Sequence, residues 1–137
     1  MIEEKEQRKL DRGLVKACSR GRLDIVELLI EKGANINNVD DTSWSPLHYA
    51  CYNGYTNIVQ DLLERQADIE IQTECGSSTL HLACIDGHTD GVKLLLEKGA
   101  NVNLTRTNGE TPLYEAYRWG YTDIIELLIE HMNKERG

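Results

Sequence analysis

Phenylalanine is missing from this chain, and proline appears only twice among 137 residues. No low-complexity linker divides it, so one domain is expected over residues 1–137. No apolar run approaches the roughly 18 residues that crossing a bilayer requires. MIEEKEQRKLDRG, at the start, has no apolar core of the kind a secretory signal carries. Positive charge is scarce: 15 Lys and Arg stand against 23 Asp and Glu, for a net charge of −8. An acidic surface is repelled by phosphate, so neither nucleic acid nor a membrane is expected as partner. The run EEKEQRK is mixed in sign and reads as no basic arm. The four cysteines lack a C-x-x-C or comparable zinc spacing, and without a secretory signal no disulfide framework is expected. The expected location is inside a cell, cytoplasmic or nuclear, or outside it as an effector exported without a conventional signal peptide. A chain of this length can bury a core without disulfides or metal.

What is present is a repeat. It emerges from one conspicuous stretch, LHLACIDGHTD, which gathers His81, Cys84, Asp86, His88 and Asp90. Alone, it suggests a thiolate with its base, or a metal site. Shifted back by 33 residues it overlies LHYACYNGYTN, and by 33 more LVKACSRGRLD; shifted forward it overlies LYEAYRWGYTD. Leu14, Leu47, Leu80 and Leu113 share one column, Ala17, Ala50, Ala83 and Ala116 a second, Gly21, Gly54, Gly87 and Gly120 a third. Each unit continues with a pattern such as DIVELLIEKGANIN, whose Ile25, Val26, Leu28, Leu29 and Ile30 fit a helix buried on a broad face. Ser45-Pro46 and Thr111-Pro112 supply a capping hydroxyl and a first-position proline for the preceding shorter helix; Ser78-Thr79 keeps the cap alone. Gly33 and Gly99 sit where a left-handed residue ends the second helix. The polar GANVNLTRTNGE that follows reads as a hairpin-like loop.

SPLHYACYNGYTNIVQDLL, STLHLACIDGHTDGVKLLLEKGANVN and TPLYEAYRWGYTDIIELL resemble ankyrin repeats, and the likeness runs from about Asp11 to His131. It implies an all-α fold: an ankyrin-repeat solenoid of stacked helix–turn–helix units with projecting hairpin-like loops. The repeats are expected at approximately 7–39, 40–72, 73–105 and 106–137, the first and last as atypical caps. The column Lys16, Tyr49, Leu82, Glu115 supports this, being apolar inside and charged at both ends. The resemblance also implies that His48 and His81 tie their helix starts to Ser45 and Ser78. It places Asn37 and Asn103 in the setting of hydroxylation acceptors. The last unit stops at EHMNKERG without a closing loop, so the chain is either short by nature or a scaffold fragment of a larger ankyrin-containing protein.

The columns account for most of the tempting residues. Cys84 aligns with Cys18, Cys51 and Tyr117, as a packed residue does. His88 aligns with Arg22, Tyr55 and Tyr121, which suits packing at the inter-helix turn, and Asp90 stands at a helix start. A thiol hydrolase using Cys84 with His81 or His88 is the competing enzyme reading. No catalytic residue, metal or cofactor is expected otherwise. Cys75, in a loop, is expected to be the most accessible thiol. Gln66 replaces the glycine of Gly33 and Gly99, and Gly91 stands where Ile25, Ile58 and Ile124 do.

In ankyrin-like folds, partners meet the exposed side of the first helix and the loop tips. The resemblance therefore assigns a binding face to Ser19, Arg20, Tyr52, Asn53, Ile85, Asp86, Arg118 and Trp119 on helices. It adds Asp41, Thr42, Trp44, Glu74, Cys75, Ser77, Thr107, Asn108 and Glu110 in loops. Trp44, Tyr52, Ile85 and Trp119 place large apolar groups where the fold does not demand them, and both tryptophans of the chain fall in the set. The expected function is non-enzymatic protein–protein binding by a monomer, with a protein partner.

Overall fold

The computed structural model describes residues 2–136. Among the described residues eight helices follow one another: α1 Glu4–Arg20, α2 Leu23–Glu31, α3 Pro46–Asn53, α4 Thr56–Glu64, α5 Thr79–Ile85, α6 Thr89–Glu97, α7 Pro112–Trp119 and α8 Thr122–Arg136. No strand occurs among the described residues. Each odd helix packs on its even partner, and α1, α3, α5 and α7 stack in one row with α2, α4, α6 and α8 behind them.

The helix starts follow from local chemistry. Ser45 and Ser78 each accept a hydrogen bond from the N–H three residues on, and the His48 and His81 rings return one from the serine N–H, forming capping boxes. Thr111 caps α7, and Pro46 and Pro112 open their helices with a preset φ. Each first helix ends in a tight turn on glycine; Gly54 has φ 75°, with His88 of the next unit pressed against it. A Cβ there would stand 2.4 Å from the ring. The turn column thus packs unit upon unit, since Tyr55 covers Gly21 and Tyr121 covers Gly87 in the same way.

The core lies between and within the pairs. Leu14, Leu47, Leu80, Ile58, Leu62, Leu95, Ile124 and Leu128 are fully buried, each contributing on the order of 2 kcal/mol. Cys18, Cys51 and Cys84 are buried beside them. Gly91 lies in α6 with the His88 and Ala83 side chains 3.8 and 3.9 Å from an added Cβ, so a methyl group fits there.

Three features depart from the sequence reading. First, α1 starts at Glu4 and runs 17 residues, about twice the length of α3, α5 or α7. Second, Glu115 is no solvated end charge: it is buried, and Arg106 pairs with it at 3.0 Å. Lys16, at the other end of that column, is exposed as a cap residue should be. Third, the last unit keeps an open stacking face. Tyr114 and Tyr117 are 49 % and 74 % exposed, whereas their equivalents His48, His81, Cys51 and Cys84 are at most 1 % exposed. Ile129 is likewise exposed on α8.

Gln66 is left-handed at φ 70°, as its column requires. Ser43 is left-handed too, at φ 64°. It stands 33 residues before Gly76 and 66 before Gly109, both at positive φ. A side chain in this region costs about 1–2 kcal/mol, which glycine avoids at some entropic cost of its own. Gln66→Gly and Ser43→Gly are each expected to stabilise the chain by about 1 kcal/mol, or about 3 °C in melting temperature. A scanning calorimetry trace with an unchanged or lower midpoint would refute the strain.

Candidate functional site

The first-helix row and the loops carry the residues of the assigned face. Each loop closes on itself: Asp40 N–H donates to the Trp44 carbonyl, Thr73 N–H to Ser77 and Arg106 N–H to Glu110, at 2.9–3.0 Å. The tips are joined sideways, with Glu74 N–H on the Thr42 carbonyl and Thr107 N–H on that of Cys75, both 3.0 Å. Hairpin shape is thus reached by single turns and isolated cross-links. Gly76 is needed here, because a Cβ would meet the Thr107 nitrogen at 2.8 Å.

Asp40 organises the first loop. Its Oδ1 accepts from Thr42 N–H, Thr42 Oγ1 and Trp44 N–H, while the Tyr49 hydroxyl donates to Oδ2. Burial and this carboxylate push the Tyr49 phenol up to about 12. The effect is to fix Trp44, whose ring lies 4.9 Å from Tyr49 and 5.6 Å from Tyr52, the latter edge-on. Such pairs add roughly 0.5–1.5 kcal/mol beyond area burial. Beside them Trp44, Leu82, Ile85, Cys75 and Arg106 line an open hollow of about 250 Å³. A second, of about 530 Å³, lies between α1 and the first loop, walled by Arg8, Arg12, Val15 and Val39 together with Asp11, Asp40 and Asp41. Asp40 did not stand out in the sequence. The signal was an Asp two residues before Thr42 in a turn-rich stretch, which is an Asx-turn pattern.

The assigned residues fall into three groups. Arg20, Asp41, Thr42, Tyr52, Glu74, Thr107, Asn108, Arg118 and Trp119 are exposed. Trp44 and Ile85 are half-buried at the hollow. Ser19 is half-buried on α1, its hydroxyl donating to the Lys16 carbonyl at 2.8 Å. The Arg118 guanidinium lies 5.6 Å from the Trp119 ring. Asn53 and Glu110 are turned inward. The Asn53 amide donates to the Tyr49 carbonyl at 3.0 Å, and Glu110 sits 3.9 Å from both Arg106 and Arg118. Hydrogen bonding with Glu115, then burial, hold Glu110 above the usual carboxylate range. Ser77 is a correction: it is 4 % exposed, and its carbonyl faces His48 Nε2 at 3.2 Å. The cause is unit stacking, which spends that carbonyl on the preceding helix start. Asp86 is exposed, but its column is less free than the sequence suggests. Its carboxylate is 2.7 Å from His88 Nε2, which also faces the Tyr52 carbonyl at 2.8 Å.

The thiols are free cysteines. Burial raises Cys84 and Cys51 well above the ordinary thiol range and takes Cys18 up to about 12, the opposite of what a nucleophile requires. His81 is committed to Ser78 and the Glu110 carbonyl, at 2.8 and 2.9 Å. Cys75 alone among the four is exposed. In native protein at pH 7, a thiol reagent such as maleimide is expected to modify Cys75 first and one equivalent in total, with the other three reacting only on unfolding. Faster labelling of Cys84 would restore the hydrolase reading. Among the described residues no group of His, Cys, Asp and Glu is arranged to hold a metal ion. Nor is any helix long and apolar enough to cross a membrane.

Helix pairs repeating every 33 residues, stacked in register and offering one continuous face, define a solenoid repeat protein. The family model described as ankyrin repeats (3 copies) matches residues 62–136, and that described as ankyrin repeats (many copies) matches residues 14–63. The chain belongs to the ankyrin-repeat family. Repeats of this family are in general protein–protein interaction modules and typically not enzymes. No curated protein matches the chain.

Proposed function

We propose that the chain is a non-enzymatic module that binds a partner protein as a monomer, through its concave face and loop tips. The observation carrying this reading is the aromatic and aliphatic surface set by Trp44, Tyr52, Ile85 and Trp119. Tyr52 and Trp119 are 38 % and 54 % exposed, on helices whose cores are already filled by other residues. Aromatic and arginine side chains beside a hollow are the usual anchors of an interface, and Arg118 joins Trp119 as such a pair. Asp41, Thr42, Glu74, Thr107 and Asn108 form the polar rim.

The test is affinity capture on immobilised wild type and on Tyr52→Ala and Trp119→Ala, neither of which is needed by the core. Capture is expected to fall at least tenfold, about 1.4 kcal/mol, for at least one variant, with far-UV circular dichroism unchanged. Trp44→Ala extends the test, its folded state checked the same way. Normal capture by all three variants refutes the face.

A further inference from the structure

The charge of this chain is segregated between its two rows of helices. The outer helices α2, α4, α6 and α8 carry eleven acidic and three basic residues. Among the inner helices α3, α5 and α7 the only charged residues are Glu115 and Arg118. Helix α1 is the exception, with six basic against three acidic residues. At about 100° per residue, Lys5, Arg8, Lys9, Arg12, Lys16 and Arg20 all fall within one arc of roughly 120°. Every one of them is exposed. Only Arg8 has an ion pair among the described residues, with Glu4 at 3.6 Å and both groups solvated. The three acidic residues of α1 stand on either side of the arc, about 40–60° outside it. Glu4 and Glu6 stand in the first turn, where the helix dipole favours them. Asp11 accepts from the Asn35 N–H at 2.7 Å and so is spent on the first loop.

Within this arc Arg20 shares its column with Asn53, Asp86 and Trp119 of the candidate face. Lys16 shares its column with Tyr49 and Leu82, and Arg8 and Arg12 border the hollow of about 530 Å³, whose far side carries Asp40 and Asp41, with Asp11 between. We propose that α1 docks an acidic, extended segment of the partner protein, and that a bulky apolar side chain of the same segment enters the hollow at Trp44 and Ile85. This rests on the concave-face reading and specifies the partner's chemistry. Stacked helices lie about 8–10 Å apart, so α5 is about 18 Å from α1. An extended chain rises about 3.3 Å per residue, which separates the acidic cluster from the apolar anchor by about five or six residues. A nucleic acid meets the same six cations but also the acidic rim of Asp41 and Glu74 and an overall charge of −8. A peptide can place its carboxylates on α1 alone.

The experiment pans a displayed library of random 16-residue peptides on the wild-type chain and on Arg12→Glu/Lys16→Glu. Both substituted residues are solvated and outside the core, and the fold of the variant is checked by its melting curve. Wild type is expected to enrich peptides with clustered Asp or Glu five or six residues from Leu, Ile, Phe or Trp. These peptides, made synthetically, should lose at least tenfold in affinity to the double variant, and a similar factor between 50 and 300 mM salt. Tyr52→Ala and Trp119→Ala should weaken them as well. Enriched peptides without excess acid that still require Tyr52 or Trp119 would overturn the α1 assignment and leave the concave face standing. Peptides indifferent to all of these substitutions would overturn both. The inference also falls if no peptide is enriched, or if a single-stranded DNA 16-mer binds more tightly than the acidic peptides.

Discussion

Lowering the pH from 6.5 to 4 is expected to remove about 3 kcal/mol of folding stability through His48 alone, with His81 adding to the loss. His48 is fully buried, and Ser45 N–H donates to its Nδ1 at 3.0 Å, so the ring proton sits on Nε2, toward the Ser77 carbonyl. A second proton would displace the Ser45 bond and charge a group with no solvent. Burial accordingly depresses His48 from 6.5 to about 4, against the smaller opposing pull of the Ser77 carbonyl. His81 is lowered for the same first reason, opposed by the Glu110 carbonyl and assisted by nearby Arg106. Above pH 6.5 both states hold neutral rings and the effect is absent. Below it the unfolded chain takes up protons that the folded chain refuses, so stability falls with falling pH, about tenfold in the folding ratio per unit for His48, with His81 acting in the same direction. Below about pH 4 the His48 contribution is complete. Urea unfolding at intervals from pH 7 to 5, where most carboxylates stay ionised, reads the slope. His48→Gln/His81→Gln should be less stable at pH 7 yet flatter toward pH 5. An unchanged slope in that variant would mean that other groups cause the acid loss.

Arg106→Ala is expected to cost roughly 3 kcal/mol, the largest loss from any solvent-bordering side chain of the last unit. The Glu115 side chain is only 2 % exposed and has Arg106 at 3.0 Å. Removing the guanidinium leaves a buried carboxylate without its counter-charge. Water reaches part of the vacated site, because Arg106 itself is 23 % exposed, which places the loss at the lower end of the usual range. Glu110 would retain Arg118 at 3.9 Å. The paired change Arg106→Met with Glu115→Leu should recover most of the loss, since a leucine already occupies this column as Leu82 and is buried there. Chemical denaturation of the two variants decides it. A single variant within about 0.5 kcal/mol of wild type would show that the pair contributes nothing.

The repeat, the helix pairs, the capping roles of Ser45, Ser78 and Thr111, and the left-handed Gln66 were all legible in the sequence. These are local matters: a cap, a first-position proline and an apolar period each act within a few residues, and four copies in phase make the period unmistakable. Ser43 could have been found the same way, by setting its loop against Gly76 and Gly109. The loop residues of the candidate face were harder to read. Alignment with a neighbouring unit says where a residue sits along the chain, but not whether its polar groups are already engaged. Ser77 and Glu110 share a column, and both carbonyls are held by the histidine of the preceding unit, a contact spanning 29 residues.

Composition and periodicity alone therefore determined a stack of helix pairs with capped starts, while the roles of His48 and His81 and the candidate face followed from the resemblance to ankyrin repeats. Tertiary structure decided the charges. EEKEQRK is mixed in sequence, but helix formation sorts its lysines and arginines with Arg12, Lys16 and Arg20 into one arc, and the first loop occupies Asp11. Glu115 reads as an end charge until Arg106 folds over it. The physical reason is the same in both cases. Apolar burial repeats with the backbone period and can be counted along the chain, whereas an ion's role depends on which opposite charge and how much water lie within a few ångströms, and only the folded chain sets those distances.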